Sequence, residues 1–235
     1  MIPRWLAVAV PAYFTTLLAI DTQVRLPGQL LLGAITWGAL LGVCALIPPE
    51  RRAQVVVVVA AATVAEVTGS ILWGVYRYRM HNLPLFVPPG HGLVYLSGVA
   101  LSQTLRRHVC GLVGCAAAGA ALWGLLGLTV LPRLDVAGAL GVPLLLLFLW
   151  RSESRAAYAG VFAVVAVLEL YGTAIGTWRW NEALPGLGIP DGNPPSGAAS
   201  GYVCFDVAAL LLAPRLLALV RGLRTRLPAP APARP

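Results

Sequence analysis

Residues 53–69 read Ala-Gln-Val-Val-Val-Val-Val-Ala-Ala-Ala-Thr-Val-Ala-Glu-Val-Thr-Gly, and residues 156–172 read Ala-Ala-Tyr-Ala-Gly-Val-Phe-Ala-Val-Val-Ala-Val-Leu-Glu-Leu-Tyr-Gly. Each is an apolar run with a single acid, and with its apolar flanks each reaches the ~20 residues that cross a bilayer core. A carboxyl placed there costs several kcal/mol unless it is partnered or protonated, so Glu66 and Glu169 point to function. The two stretches also align. A shift of 103 maps Glu50, Arg52, Ala53, Glu66 and Gly69 onto Glu153, Arg155, Ala156, Glu169 and Gly172. With a one-residue slip, Gly74-Val-Tyr76-Arg77-Tyr78 maps onto Gly176-Thr-Trp178-Arg179-Trp180, and further on Pro88-Pro89 meets Pro194-Pro195.

Across the whole chain, the 235 residues are 58% hydrophobic and 11% charged, against roughly 25% charged in soluble domains, which excludes a soluble globular or disordered chain. Apolar runs near 5–20, 29–48, 54–76, 91–105, 109–132, 136–150, 156–178 and 198–220 predict an all-α polytopic membrane protein of about eight transmembrane helices. The runs 91–105 and 136–150 are short, so a seven-helix count stays open. The expected organisation is one transmembrane domain over 1–227, with repeats at about 5–105 and 109–220, and a disordered Pro/Ala tail at 228–235. Four helices per repeat make the halves parallel, so the third and seventh helices face each other across a central cavity.

The net charge of +8 comes from arginines in short loops, which speaks for membrane topology rather than nucleic acid. Eleven arginines fall on one side and five on the other, with Arg215 inside the last helix, so a multi-pass protein of the cell membrane with both termini cytoplasmic is expected. The first run lacks a small-residue cleavage pattern and reads as an uncleaved span. All seventeen basic residues are arginine, a usage of GC-rich bacterial genomes. Cys44, Cys110, Cys115 and Cys204 lie in apolar runs and read as buried small residues.

Glu66 lies ten residues before Tyr76, which on a continuous helix sets it roughly 15 Å below the outer interface where that ring is expected, near the midplane. Glu169 falls at the same depth, and Asp206 about 12 Å into the last helix. These three acids are the candidate catalytic residues. A carboxyl that keeps its proton in an apolar cavity is a Brønsted acid, while a structural hydrogen-bonded pair tying the halves together is the plainer alternative. Trp73, Tyr76, Tyr78, Tyr171, Trp178 and Trp180 are the candidate substrate-binding rings, either as an interfacial belt or as faces that stabilise a cation. Arg77 and Arg179 lie between rings and suit an anion or a headgroup, and His91 and Asn193 complete the set from Pro-rich loops expected to form ordered lids. His81 and His91 lack metal-ligand spacing, and no nucleotide or hydrolase motif is present, so neither metal nor cofactor is expected.

At these motifs the chain resembles the integral-membrane carotenoid hydratases of the bisanhydrobacterioruberin hydratase type. The likeness rests on Glu66-Val-Thr-Gly69, Gly74-Val-Tyr76-Arg77-Tyr78 and Pro84-Leu-Phe-Val-Pro88, then Trp178-Arg179-Trp180 and Gly188-Ile-Pro190-Asp-Gly-Asn193. The chain departs from that pattern at Glu169, where an aspartate is expected, at Pro194-Pro195 in place of an aromatic, and at His91 in place of a tryptophan. The resemblance implies carotenoid biosynthesis: acid-catalysed protonation of a terminal double bond and capture of water, with a membrane-borne isoprenoid as the partner. The same site without water would make a terpene cyclase. A proton-coupled transporter or lipid-binding protein is the reading from another class.

Overall fold

The computed structural model describes residues 2–226, and the tail expected at 228–235 lies outside the described residues. The chain forms α1 (Leu6–Asp21), α2 (Leu26–Leu46), α3 (Pro49–Glu66), α4 (Val87–Thr104), α5 (Val109–Thr129), α6 (Val136–Arg151), α7 (Arg155–Ala174), the short α8 (Ser196–Gly201) and α9 (Val203–Arg226). Five segments are long and apolar enough to cross a membrane: Leu26–Leu46, Pro49–Trp73, Arg106–Thr129, Arg155–Ala174 and Ser196–Leu223. Large apolar side chains cover the outside, with Val8, Leu72 and Leu140 each more than two-thirds exposed. A surface of that kind is stable against lipid tails and not against water, so the protein is an all-α membrane protein.

The helix starts follow from local chemistry. Proline opens α2, α3 and α4, where its missing N–H is one the helix could not have used. Asp135 caps α6 by accepting from the Gly138 N–H at 3.1 Å. The run expected as a short span at 91–105 starts earlier, because the Val87-Pro-Pro-Gly stretch is already the first turn of α4. From Pro89 to Ala100 every residue of α4 is buried. This helix packs on α1, α3 and α7, while α3 packs on α9. Its tightest crossing is with α7: a Cβ on Gly98 would lie 2.5 Å from the Val161 backbone, and one on Gly160 would run into the Gly98 carbonyl.

The expected helices over 54–76 and 156–178 both end early. After Glu66 the α-helical ladder widens into a π-helical turn over Val67–Trp73, and Gly74 closes it with φ 75°. After Ala174, Gly176 does the same with φ 79°. A left-handed residue caps a helix and reverses the chain, which glycine does at no steric cost. Each glycine leads into a three-residue strand, β1 (Tyr76–Tyr78) and β2 (Trp178–Trp180), and the two strands pair antiparallel with Tyr76 opposite Trp180, Arg77 opposite Arg179 and Tyr78 opposite Trp178. Flanking bonds extend the ribbon: Asn181 N–H donates to the Val75 carbonyl and Arg79 N–H to the Thr177 carbonyl, both at 2.9 Å.

The cysteines differ from the expectation of burial. Cys110, Cys115 and Cys204 are free and exposed on the apolar outer faces of their helices, and Cys44 is half-buried.

Candidate functional site

Glu66 is the last α-helical residue of α3 and is buried. Its Oε2 accepts from the Tyr76 hydroxyl at 2.7 Å and from the Tyr78 hydroxyl at 2.8 Å, and its Oε1 lies 3.0 Å from His91 Nε2. The expected 15 Å between Glu66 and the Tyr76 ring does not exist: the turn at Gly74 folds the ribbon back over the helix end. Gly69 makes room for this, since a Cβ there would stand 3.0 Å from the Tyr76 ring.

Glu169 on α7 is also buried, and its Oε2 accepts from the Trp178 indole N–H at 3.0 Å and the Trp180 indole N–H at 3.4 Å. Gly172 plays the part of Gly69, because a Cβ there would overlap the Trp178 ring. In both places the acid, the glycine three residues later and two aromatic donors on the next strand form one local unit.

Both glutamates line one cavity of about 320 Å³, under the ribbon and between α1, α3, α4, α7 and the α8–α9 segment. Tyr76, Tyr78, Trp178, Trp180 and His91 share it. The rest of the wall is mainly apolar, including Phe14, Leu18, Phe86, Val94 and Leu168. The His91 ring stacks on Tyr202, with centroids 5.3 Å apart, and meets Phe205 edge-on at 5.9 Å. Its Nδ1 is buried without a hydrogen-bond partner among the described residues. Tyr202 and Phe205, both on the cavity wall, had no signal in the sequence beyond an apolar run. Burial, and after it the Glu66 charge, push the Tyr76 and Tyr78 phenols above the ordinary tyrosine range, so both remain O–H donors.

The other candidates stand elsewhere. Arg77 and Arg179 do not join the cavity. Successive side chains of a strand point to opposite faces, so with the rings turned inward the two arginines project outward, exposed. Trp73 is partly exposed and donates its indole N–H to the Pro185 carbonyl at 2.9 Å. Tyr171 packs against the core and takes no part in the cavity wall. Asn193 positions β2, its Oδ1 accepting from the Trp180 N–H at 2.9 Å. Asp206 is buried but lies in the wall of a different cavity, with Arg51 and Tyr95.

Polar ties hold the ribbon down. Asp21, fully buried, accepts from Gln29 Nε2 at 2.9 Å, and Arg79 donates to the Asp21 and Val24 carbonyls. On the other side Arg133 donates to the Trp180 and Asn181 carbonyls. Asp135 accepts from the backbone N–H groups of Gly192 and Ser196 and from the Ser196 hydroxyl. Asp191 sits buried nearby, and burial together with the Asp135 charge pushes its carboxyl up to about 7. Among the described residues no three His, Cys, Asp or Glu side chains gather as metal ligands. No family model, curated protein or solved structure matches this chain.

Proposed function

We propose that the protein is an integral-membrane enzyme that protonates a double bond of an isoprenoid, a carotenoid end group in the first instance, and adds water to it. The observation that carries the reading is the convergence of two buried glutamates in one apolar cavity walled by aromatic rings. A cavity of about 320 Å³ accepts the end of a long polyene rather than its whole length. Ring faces stabilise a tertiary cation by about 0.5–2 kcal/mol each where water is excluded.

The two acids divide the work. Glu169, whose donors are indole N–H groups that do not exchange protons at ordinary pH, delivers its proton to the terminal alkene carbon and leaves a tertiary cation. Water attacks the cation, a C–O bond forms, and the surplus proton passes to Glu66, which is coupled to His91 and two phenols that can relay it. The proton then returns from Glu66 to Glu169 across the cavity they share, so the balance is alkene plus water to tertiary alcohol, with both acids restored and no redox step. The resemblance to carotenoid hydratases at the Glu66, Gly74 and Trp178 motifs points the same way.

The membrane architecture that goes with this reading is eight crossings as two parallel four-helix repeats, over about 5–105 and 109–220, with both termini cytoplasmic. What supports the duplication is the ribbon register. Arg77 faces its own counterpart Arg179, and the Val75–Asn181 bond is repeated as Thr177–Arg79, the isologous pattern of a two-fold axis. Packing of α3 on α9 and of α4 on α7 obeys the same exchange.

The test is expression in a host that accumulates an acyclic carotenoid, beside the Glu66→Gln Glu169→Gln double variant, with pigments compared by chromatography and mass. A product heavier by one water, absent in the variant, is expected. Equal mass with altered retention would make the reaction a cyclisation, and unchanged pigment would remove this substrate. Proton-coupled transport is the second reading. It is favoured by the break in the α-helical ladder directly after Glu66, a feature the apolar run hid, since π-helical turns gather at functional sites. Glu66-dependent uptake with no covalent product would select it.

A further inference from the structure

Four of the helices that wall the glutamate cavity, α3, α4, α7 and α9, also line a second one, of about 260 Å³, at the other end of the bundle. α3 contributes Glu66 to the first and Arg51 to the second, α7 contributes Glu169 and then Tyr158, and α4 contributes His91 and then Ser102. The two cavities meet at adjacent residues: Val94 faces one and Tyr95 the other, and Phe205 faces one and Asp206 the other.

Asp206 is 3% exposed, lines the second cavity, and its Oδ2 has no hydrogen-bond partner among the described residues. A buried carboxyl oxygen left without a protein partner calls for water or a bound ligand. The surrounding groups suit water: the Tyr95 hydroxyl and Arg51 share Gln54 Oε1, at 2.9 and 2.8 Å, and Ser102 and Tyr158 add hydroxyls to the wall. Arg51, Gln103 and Ser154 at the rim are half-buried, while Tyr95, Tyr158 and Asp206 at the floor are buried, so the cavity opens toward the Arg51 end. Water occupies a cavity of this size when it is offered two to four polar partners, and this wall offers more.

We infer that this cavity is a water-filled vestibule that opens at the Arg51 end of the bundle, opposite the ribbon, and ends on Asp206. It brings the aqueous phase of that side to residues that adjoin the lining of the glutamate cavity on α4 and α9. The inference stands on packing and polar satisfaction and does not need the proposed reaction; if that reaction is hydration, the vestibule is the store from which its water comes. Asp206 then acts as the polar floor of the water path rather than as a group touching the alkene.

The test is thiol accessibility without any substrate. Ser102→Cys and Ala157→Cys in the vestibule wall, Leu211→Cys on the lipid face and Arg107→Cys as a marker of the Arg51 end are each placed in a chain whose four native cysteines are alanine. Right-side-out and inside-out vesicles are treated with a charged, membrane-impermeant methanethiosulfonate. Both wall thiols should react from the face that labels Arg107→Cys, at least about tenfold faster than Leu211→Cys, because only a hydrated thiol forms the thiolate that attacks. Adding Asp206→Leu should slow both wall thiols toward the Leu211→Cys rate. Wall thiols as slow as Leu211→Cys from either face, or labelled only from the ribbon face, would overturn the inference. If the cysteine-free chain does not fold, the same labels are assigned in the native-cysteine chain by peptide mass mapping. Since no product is measured, failure of the vestibule and failure of the hydratase reading are read separately.

Discussion

Glu66 and Glu169 sit in the same cavity and are each held by two aromatic donors from the next strand, yet their surroundings differ in one respect that matters chemically. Glu66 is bonded to phenols and an imidazole, all groups that can take part in proton transfer. Glu169 is bonded to indoles, which donate a hydrogen bond and nothing more. No imidazole joins the hydrogen bonds of the Glu169 carboxyl, whose side-chain partners are the Trp178 and Trp180 indoles. Two copies of one local design thus become unequal through the donors supplied to them, which is how a pair of like acids can be assigned different tasks.

The contrast between the halves is tested most severely on the acids themselves. Glu66→Gln and Glu169→Gln should each lower turnover of an acyclic carotenoid by about 10²-fold or more, as loss of a general acid or base does. Measured by product per enzyme in membranes, a full rate in either single variant would show that the pair does not share one reaction. The glycines separate the halves next. Gly172→Ala drives a methyl into the Trp178 ring, whereas Gly69→Ala only crowds the Tyr76 ring edge at 3.0 Å. Overpacking of the first kind costs about 1–3 kcal/mol, so Gly172→Ala should melt several degrees below wild type in detergent and Gly69→Ala less than that. Equal melting points would mean that Trp178 does not lie over α7.

His91→Asn separates the two acids at smaller cost. It removes the imidazole from Glu66 and leaves the hydrogen bonds of Glu169 in place, so about a tenfold loss of rate with a changed pH–rate profile is expected, against an unchanged melting temperature in detergent.

The smallest effect concerns the loop that ties down β2. Burial, then the Asp135 charge, hold the folded Asp191 near 7, against about 3.9 in an unfolded chain. Between those values the folded state keeps a proton that the unfolded state has lost, so this residue makes the fold less stable as pH rises from about 4 to about 7. Asp191→Asn should therefore raise the melting temperature at pH 8 and change it little at pH 4. A benefit that is the same at both values would mean that Asp191 does not titrate in this window.

Much of this was legible along the chain. An apolar run long enough for a bilayer is a local property, and so is an acid interrupting it, which is why Glu66 and Glu169 stood out beside their glycines. The motif spacing also pointed to Tyr76, Tyr78, Trp178 and Trp180, although an interfacial belt was the alternative for each ring. The strands were not legible, because Tyr-Arg-Tyr and Trp-Arg-Trp are three residues long and their partners lie a hundred residues apart; pairing at that distance leaves no periodic trace. Reading the segments as helix put Arg77 and Arg179 among the rings, and only the two-residue alternation of a strand turns them out.

Hydropathy and chain-neighbour spacing are carried by each segment alone, so the membrane class, the all-α architecture and the pair of acids with their aromatic neighbours were already set in the sequence. Tertiary packing settled which groups meet. It folded the ribbon back onto the glutamates, stood His91 beside Glu66, buried α4 along its length and sent Asp206 to a separate cavity. Those outcomes depend on how helices cross at Gly98 and Gly160 and on how a chain reverses at Gly74 and Gly176. Contacts of that kind are made by distant residues competing for one small volume, and no single segment contains the information to settle them.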